Sequence, residues 1–262
     1  MVIKRLSVLL PSFFSVCLFS FAVMAQALDA AWVRAIEQDR PRDLIQQLAQ
    51  GLDPNSRDSE LNPALMLAIQ NESWRAYDTL LANRNTDVEL ANGRQETPMM
   101  YLALLGQTER LRDLQQRGGQ INRLGWTPLH YAASKGKQDT VRYLLSQQAL
   151  VNAPAPDGSS PLMMAALSGS RQVVDLLLQA GADVSMQNAQ HLKASDWAKS
   201  AQHDNLALYL ERIEADPLSA YVPASETRTP STEPSRAPAK TESGGGGSQY
   251  FDLDRFEKID TP

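Results

Sequence analysis

Thr127-Pro128-Leu129-His130-Tyr131-Ala132-Ala133 is the stretch on which the fold turns, because versions of it return on both sides. Thr97-Pro98-Met99-Met100-Tyr101-Leu102-Ala103 begins 30 residues upstream, and Ser160-Pro161-Leu162-Met163-Met164-Ala165-Ala166 begins 33 residues downstream. A second phrase keeps step with the first. Gly118-Gly119-Gln120-Ile121-Asn122, Gln148-Ala149-Leu150-Val151-Asn152 and Gly181-Ala182-Asp183-Val184-Ser185 each start 20 residues after the preceding proline. Two motifs in fixed phase mark a repeat architecture. Thr or Ser before Pro is a helix start: the hydroxyl can cap an orphan amide, and proline in the first turn has no N–H to lose. The alanine pair lets this first helix approach its neighbours closely. Val173, Val174, Leu176, Leu177 and Leu178 give the second helix its apolar stripe. Gly106, Gly136 and Gly169 break the chain between the helices, and Gly118 and Gly181 stand where a left-handed residue ends the second one. A unit of this size has too little core to stand alone, so units must stack to bury one.

These residues resemble the ankyrin repeat, with its T-P-L-H-x-A-A phrase, its G-x-x-x-V-V-x-L-L-L helix and its G-A-D-V-N ending. The resemblance runs over residues 29–214. Its outer units are worn: Ala35, Gly51 and Asn55 keep the spacing in the first, Ala68 and Leu80-Leu81 in the second, and Ala194 to Ala198 followed by Leu206 to Ile213 make a last unit without the proline. The expected fold is therefore all-α, a solenoid of about six helix-turn-helix units with short hairpin loops, followed by a disordered C-terminal tail. The units fall near 29–60, 61–94, 95–124, 125–157, 158–190 and 191–215, within a domain spanning 28–216.

The ends differ in composition. Residues 1–27 read as a secretory signal, with Lys4 and Arg5 as the positive segment, Leu6 to Val23 as the apolar stretch and Ala25-Gln26-Ala27 among the small-residue cleavage sites. The expected location is the periplasm. Cys17, the single cysteine, lies inside this segment, so a cleaved protein has no thiol and no disulfide framework. Residues 217–248 are rich in Pro, Ser, Thr and Gly and read as a disordered linker with a reach of about 30 Å. In residues 249–262, Tyr250, Phe251, Leu253 and Phe256 form a candidate short linear motif.

Net charge is −5, and about −7 once Lys4 and Arg5 leave with the signal, with no basic run longer than that pair. Counterion release needs clustered Lys and Arg, so nucleic acid is excluded as a partner. No nucleophile elbow or phosphate-cradling glycine loop is present. The three histidines, His130, His191 and His203, lack the paired spacing of a metal site. The reading is of a non-enzyme with no catalytic residue, metal or cofactor, working as a monomer. Its partner is another protein, and it meets a membrane only if the leader stays uncleaved. An immunity or antagonist protein acting on a secreted toxic enzyme is the alternative, as is a membrane-tethered adaptor.

The resemblance implies where a partner would be held: on hairpin tips and the adjoining concave helix ends. It assigns Trp126, Arg123, Leu124, Arg94, Glu96, Asp157 and Ser159 to the hairpin side, and Ser134, Lys135, Leu167 and Ser168, with Gln70, Asn71, Leu104 and Leu105, to the helix ends. Trp126 is read either as a contact hot spot or as packing on a neighbouring hairpin. The resemblance also implies hydrogen bonds between repeats for His130 and His203. Met99, Met100, Met163 and Met164 read as adaptable core filler.

Overall fold

A computed structural model describes residues 31–216. The expected leader, the linker and the motif at Tyr250, Phe251, Leu253 and Phe256 lie outside the described residues. Those described are helical throughout, apart from turns and one isolated antiparallel bridge between Arg57 and Pro63. They form two compact units, one ending at Arg94 and one beginning at Gln95.

The first unit holds α1 (31–37), α2 (Pro41–Ala49), α3 (Ala64–Gln70) and α4 (Trp74–Ala82). Trp32, Ile36, Leu44, Leu65, Met66, Ile69, Tyr77 and Leu80 fill its core. The second unit holds four pairs: α5 (Pro98–Leu105) with α6 (Thr108–Gln116), α7 (Pro128–Ser134) with α8 (Gln138–Ser146), α9 (Pro161–Leu167) with α10 (Arg171–Gln179), and α11 (Ala194–Ser200) with α12 (Asp204–Ala215). First helices stack in the order α5, α7, α9, α11, and α8 lies between α6 and α10. Nearly all these helices have seven to nine residues, too few to persist in water alone, so burial between neighbours holds them. In α5 every residue from Pro98 to Leu104 is buried.

Proline opens α5, α7 and α9 at the first helical position, as the repeated phrase requires. The residue two places after each proline then closes the start from the other side, and so does its counterpart Asp196 in α11, which starts on Ala194. The backbone N–H ahead of the helix is accepted by Met100 Sδ at Thr97 (3.4 Å), His130 Nδ1 at Thr127 (3.2 Å), Met163 Sδ at Ser160 (3.3 Å) and Asp196 Oδ2 at Lys193 (2.9 Å). Met100 and Met163 therefore do more than fill space. The expected hydroxyl cap is made at Ser160, whose Oγ accepts from the Met163 amide at 3.3 Å, whereas the Thr127 hydroxyl lies 2.9 Å from His130 Nδ1.

Between α5 and α6, α7 and α8, and α9 and α10 the chain turns through a left-handed glycine. At Gly169 (φ +71°) a Cβ atom would sit 2.5 Å from Nε2 of His203, whose ring covers the glycine from the next repeat. A left-handed alanine costs about 1–2 kcal/mol before any clash, and the ring must also move. Gly169→Ala is expected to destabilise the second unit by about 2 kcal/mol, a fall in melting midpoint of about 4–8 °C for a body of this size, read by circular dichroism. A midpoint within a degree of the wild type would show that the ring gives way freely.

Candidate functional site

Three of the segments that join successive repeats are tight turns with the same hydrogen bond. In the first unit Asp58 N–H donates to the Asn62 carbonyl (3.0 Å), and in the second Ala155 N–H donates to that of Ser159 (2.8 Å) and Asn188 N–H to that of Leu192 (3.0 Å). An Asx side chain closes each from within, and so Asp58 Oδ1, Asp157 Oδ1 and Asn188 Oδ1 accept amides two residues on, at 2.8, 3.0 and 3.0 Å. The turns end in left-handed residues, Leu61, Gly158 and His191.

Asparagine side chains staple consecutive joints. Within the first unit Asn55 donates to the Asn85 carbonyl (2.9 Å) and accepts from the Asp87 amide (2.7 Å). In the second, Asn122 reaches Gln148 O and Leu150 N at 2.9 and 2.8 Å, and Asn152 reaches Gly181 O and Asp183 N at 3.1 and 2.9 Å. Each amide completes one donor and one acceptor of the neighbouring repeat, so these exposed connections are held rigid before any partner arrives.

Beneath the turn at 123–126 lies a buried polar cluster. Glu96, 1% exposed, accepts the Tyr101 hydroxyl at one carboxyl oxygen (3.1 Å) and the Tyr131 hydroxyl at the other (2.9 Å). His130 is fully buried, and its ring nitrogens bridge two repeats, Nε2 lying 3.1 Å from the Ser159 carbonyl. An amide can only donate and a carbonyl only accept, so Nδ1 is the bare nitrogen and Nε2 carries the proton. Burial pushes this imidazole down to about 4, against a pull upward from the Ser159 carbonyl and the Asp157 charge. Trp126 packs edge-on against His130 (5.2 Å, 77°) and Tyr131 (6.4 Å, 87°).

Stapled turns and a histidine bridge join the stacked helix pairs, and the model for ankyrin repeats in three copies matches residues 106–188. The fold is that of an ankyrin-repeat stack. A crystal structure of an ankyrin repeat domain from Acinetobacter baumannii shares the fold with a TM-score of 0.57 and 26% identity, over 69% of this chain and 97% of that one. Among curated proteins, 161 residues are 24% identical to the human transient receptor potential cation channel subfamily A member 1, covering 57% of this chain and 14% of the channel. A stretch of 98 residues is 37% identical to the human BCL-6 corepressor-like protein 1, covering 36% of this chain and 6% of that protein. The match thus spans a small part of the length of both curated relatives.

Ankyrin repeats generally mediate protein–protein interaction, and the positions expected to face a partner separate into two groups. Glu96 and Ser159 are corrected: the first is enclosed by two tyrosines, and the second is 0% exposed with its hydroxyl on Asp157 Oδ2 at 2.8 Å. Leu104 is likewise core, at 2%. Asp157 is half-buried and engaged in its own turn. Ser134 and Ser168 are half-buried with their hydroxyls bent onto the Tyr131 and Ala165 carbonyls of their own helices (2.9 and 2.8 Å). Lys135, Leu105 and Leu167 are half-buried; in the first unit Gln70 is half-buried, while Asn71 and Arg94 are exposed.

What remains is the turn at 123–126. Leu124 is 98% exposed, Arg123 and Trp126 are half-buried, and the backbone of Gly125 (φ +80°) lies against Pro156, itself exposed on the next turn. A leucine held almost wholly in water beside a tryptophan and a proline is an exposed apolar group on a rigid mount. Pro156 was not singled out from the sequence. Its place 33 residues on from Arg123, in the same phase, was the available signal. Among the described residues no group of three or more His, Cys, Asp or Glu is placed to hold a metal ion, and no helix is long and apolar enough to cross a membrane.

Proposed function

We propose that this protein is an exported binding scaffold of the bacterial periplasm that holds another protein against the turn formed by Arg123, Leu124 and Trp126, with Pro156 beside it. The observation that carries the reading is Leu124. A side chain 98% exposed adds nothing to the core, yet it stands on a turn whose neighbours are fixed by the Asn122 staple and by the Trp126 packing on His130 and Tyr131. Desolvating such a leucine and the adjoining indole edge is favourable only when a partner covers them. Export is supported by the composition of the first 27 residues, and the bacterial origin of the similar crystal structure is compatible with it.

The test is a photo-cross-linking amino acid at position 124 of the full-length protein, expressed in its native host. It is expected to give a discrete protein adduct that the same group at Gln172, on the exposed side of α10, does not give. With the captured partner in hand, Leu124→Asp is expected to weaken binding by more than about tenfold, the scale of one hot-spot contact, with the melting midpoint unchanged. Identical backgrounds at 124 and 172 would remove the scaffold reading, and a mature N-terminus that retains Met1 would favour a membrane-tethered adaptor over a cleaved periplasmic protein.

A further inference from the structure

The chain leaves the second unit on the side of its turns. Glu214, near the end of α12, pairs with Lys193 Nζ at 2.5 Å. Lys193 stands just ahead of α11 as Thr127 stands ahead of α7 and Ser160 ahead of α9, so the exit lies at the turn side of the last repeat. First helices stack in the order α7, α9, α11, at about 8–10 Å a step. The turn at 123–126 is therefore about 20 Å along the stack from the exit, by two such steps. Tyr250 follows Asp216 by 34 residues, and a chain of that length and composition reaches about 30 Å. The exposed turn is within range of the chain's own last segment.

The chemistry of the two also matches. On the surface, Leu192, Pro156 and Leu124 stand exposed on three consecutive turns between the exit and the Trp126 edge. Arg123 is half-buried there and has no hydrogen-bond or ion-pair partner among the described residues. Asp157, the acid of the neighbouring turn, is spent on the Ser159 amide and hydroxyl. In Tyr250-Phe251-Asp252-Leu253-Asp254-Arg255-Phe256, four apolar anchors alternate with two aspartates, and residues 249–262 carry Asp252, Asp254, Glu257 and Asp260 against Arg255 and Lys258. An apolar surface with one free guanidinium fits an apolar segment with a negative balance.

We propose that residues 250–256 dock on the turn at 123–126 of their own chain. Tyr250, Phe251, Leu253 and Phe256 cover Leu124, Pro156 and the Trp126 edge, an aspartate sits against Arg123, and a partner gains the turn by displacing them. A short flexible tether holds its end at an effective concentration on the order of 1 mM. A segment with an untethered dissociation constant of about 0.1 mM then covers the turn about nine-tenths of the time, and a competitor's apparent affinity falls about tenfold. The docking stands without a partner, whereas this competition rests on the scaffold reading.

The experiment places a photo-cross-linking phenylalanine analogue at position 251 of the full-length protein, with the same group at Ser231 as control. Mass spectrometry is expected to find adducts within 123–126 or on Pro156, in protein of monomer mass and with a yield independent of dilution. Leu124→Asp and Arg123→Glu are each expected to cut that yield several-fold with the melting midpoint unchanged. Asp252→Lys combined with Asp254→Lys is expected to restore it in the Arg123→Glu background. An adduct elsewhere on the repeats, an adduct only between two copies, or a yield no higher than that from 231 overturns the proposal. Changing Tyr250, Phe251, Leu253 and Phe256 together to serine is expected to tighten binding of a partner captured from position 124 about tenfold, and unchanged binding removes the competition. An adduct from 251 with no partner captured from 124 would sink the scaffold reading alone. A captured partner with no adduct from 251 would sink the docking alone.

Discussion

Lowering the pH from 7 to 4 is expected to remove about 3 kcal/mol of stability through His130 alone. The imidazole titrates near 6.5 in an unfolded chain and is pushed down to about 4 in the fold, chiefly by burial. The folded form therefore takes up its proton later than the unfolded form does. Above about pH 6.5 both states are neutral and the stability is whole. As the pH falls from 6.5 toward 4 only the unfolded form is protonated, and stability is lost by up to about 1.4 kcal/mol per pH unit. Below 4 the loss levels off. The geometry gives the same sign, because a proton on Nδ1 would face the Thr127 amide and displace the acceptor that both the amide and the hydroxyl use. Two aspartates lose stability lower on the scale. Burial pushes Asp39 up, but the Arg75 guanidinium and the Ala76 amide outweigh it, and Ser185 holds Asp183 down. Both start below their ordinary 3.8 and contribute beneath the window of His130. Urea melts at pH 7, 5.5 and 4.5 should show a steep decline for the wild type. His130→Gln should begin lower at pH 7, having lost the fitted bridge to Ser159, and decline less over the same span. Parallel curves for the two proteins would assign the acid sensitivity elsewhere.

The helix starts at Pro98, Pro128 and Pro161 were legible in the sequence because a proline in the first turn is a local rule, and the repeated phrase stated it three times. The phase of the second helices was legible for the same reason, through the apolar stripe and the glycines that follow it. Contact surfaces were legible only as a set of candidates. Glu96 and Ser159 occupy positions that in a repeat register face outward, but each is drawn inward by a partner far along the chain: Tyr131 for the glutamate and His130 for the carbonyl of Ser159. Nothing local records those pairings. Leu124 and Trp126 stand two residues apart in one turn, and the sequence cannot say that the leucine is in water while the indole lies half under it, since both are large and apolar. The Asn55, Asn122 and Asn152 staples sat in plain view as part of the second phrase. Their role needed the neighbouring repeat to be placed, because a side-chain amide that copies a peptide group looks like any polar loop residue until its partner is known.

Glu96→Ala is expected to cost about 3–5 kcal/mol, more than Gly169→Ala and more than any substitution on the exposed turns. Each carboxyl oxygen takes one tyrosine hydroxyl in a buried setting, and hydrogen bonds to such a group are worth about 1.5–3 kcal/mol apiece. Truncation also opens space beside α5 and α7, which pack on each other and each supply one of the two tyrosines. Glu96→Gln keeps the volume and one acceptor oxygen, and a tyrosine hydroxyl can turn to accept from the new amide N–H, so its cost is expected to be about 1 kcal/mol. Denaturant melts of the two variants measure the difference, and equal losses would mean that the cluster is held by packing and that the hydroxyls contribute little. The same pair also tests the link from core to surface. Tyr131 supports Trp126 edge-on, so freeing its hydroxyl loosens the mount of the contact turn. In native buffer, where the protein stays folded, Glu96→Ala is expected to reduce partner capture at position 124, while Glu96→Gln leaves it intact. Capture that survives the alanine variant undiminished would show that the leucine works without the rigid floor beneath it.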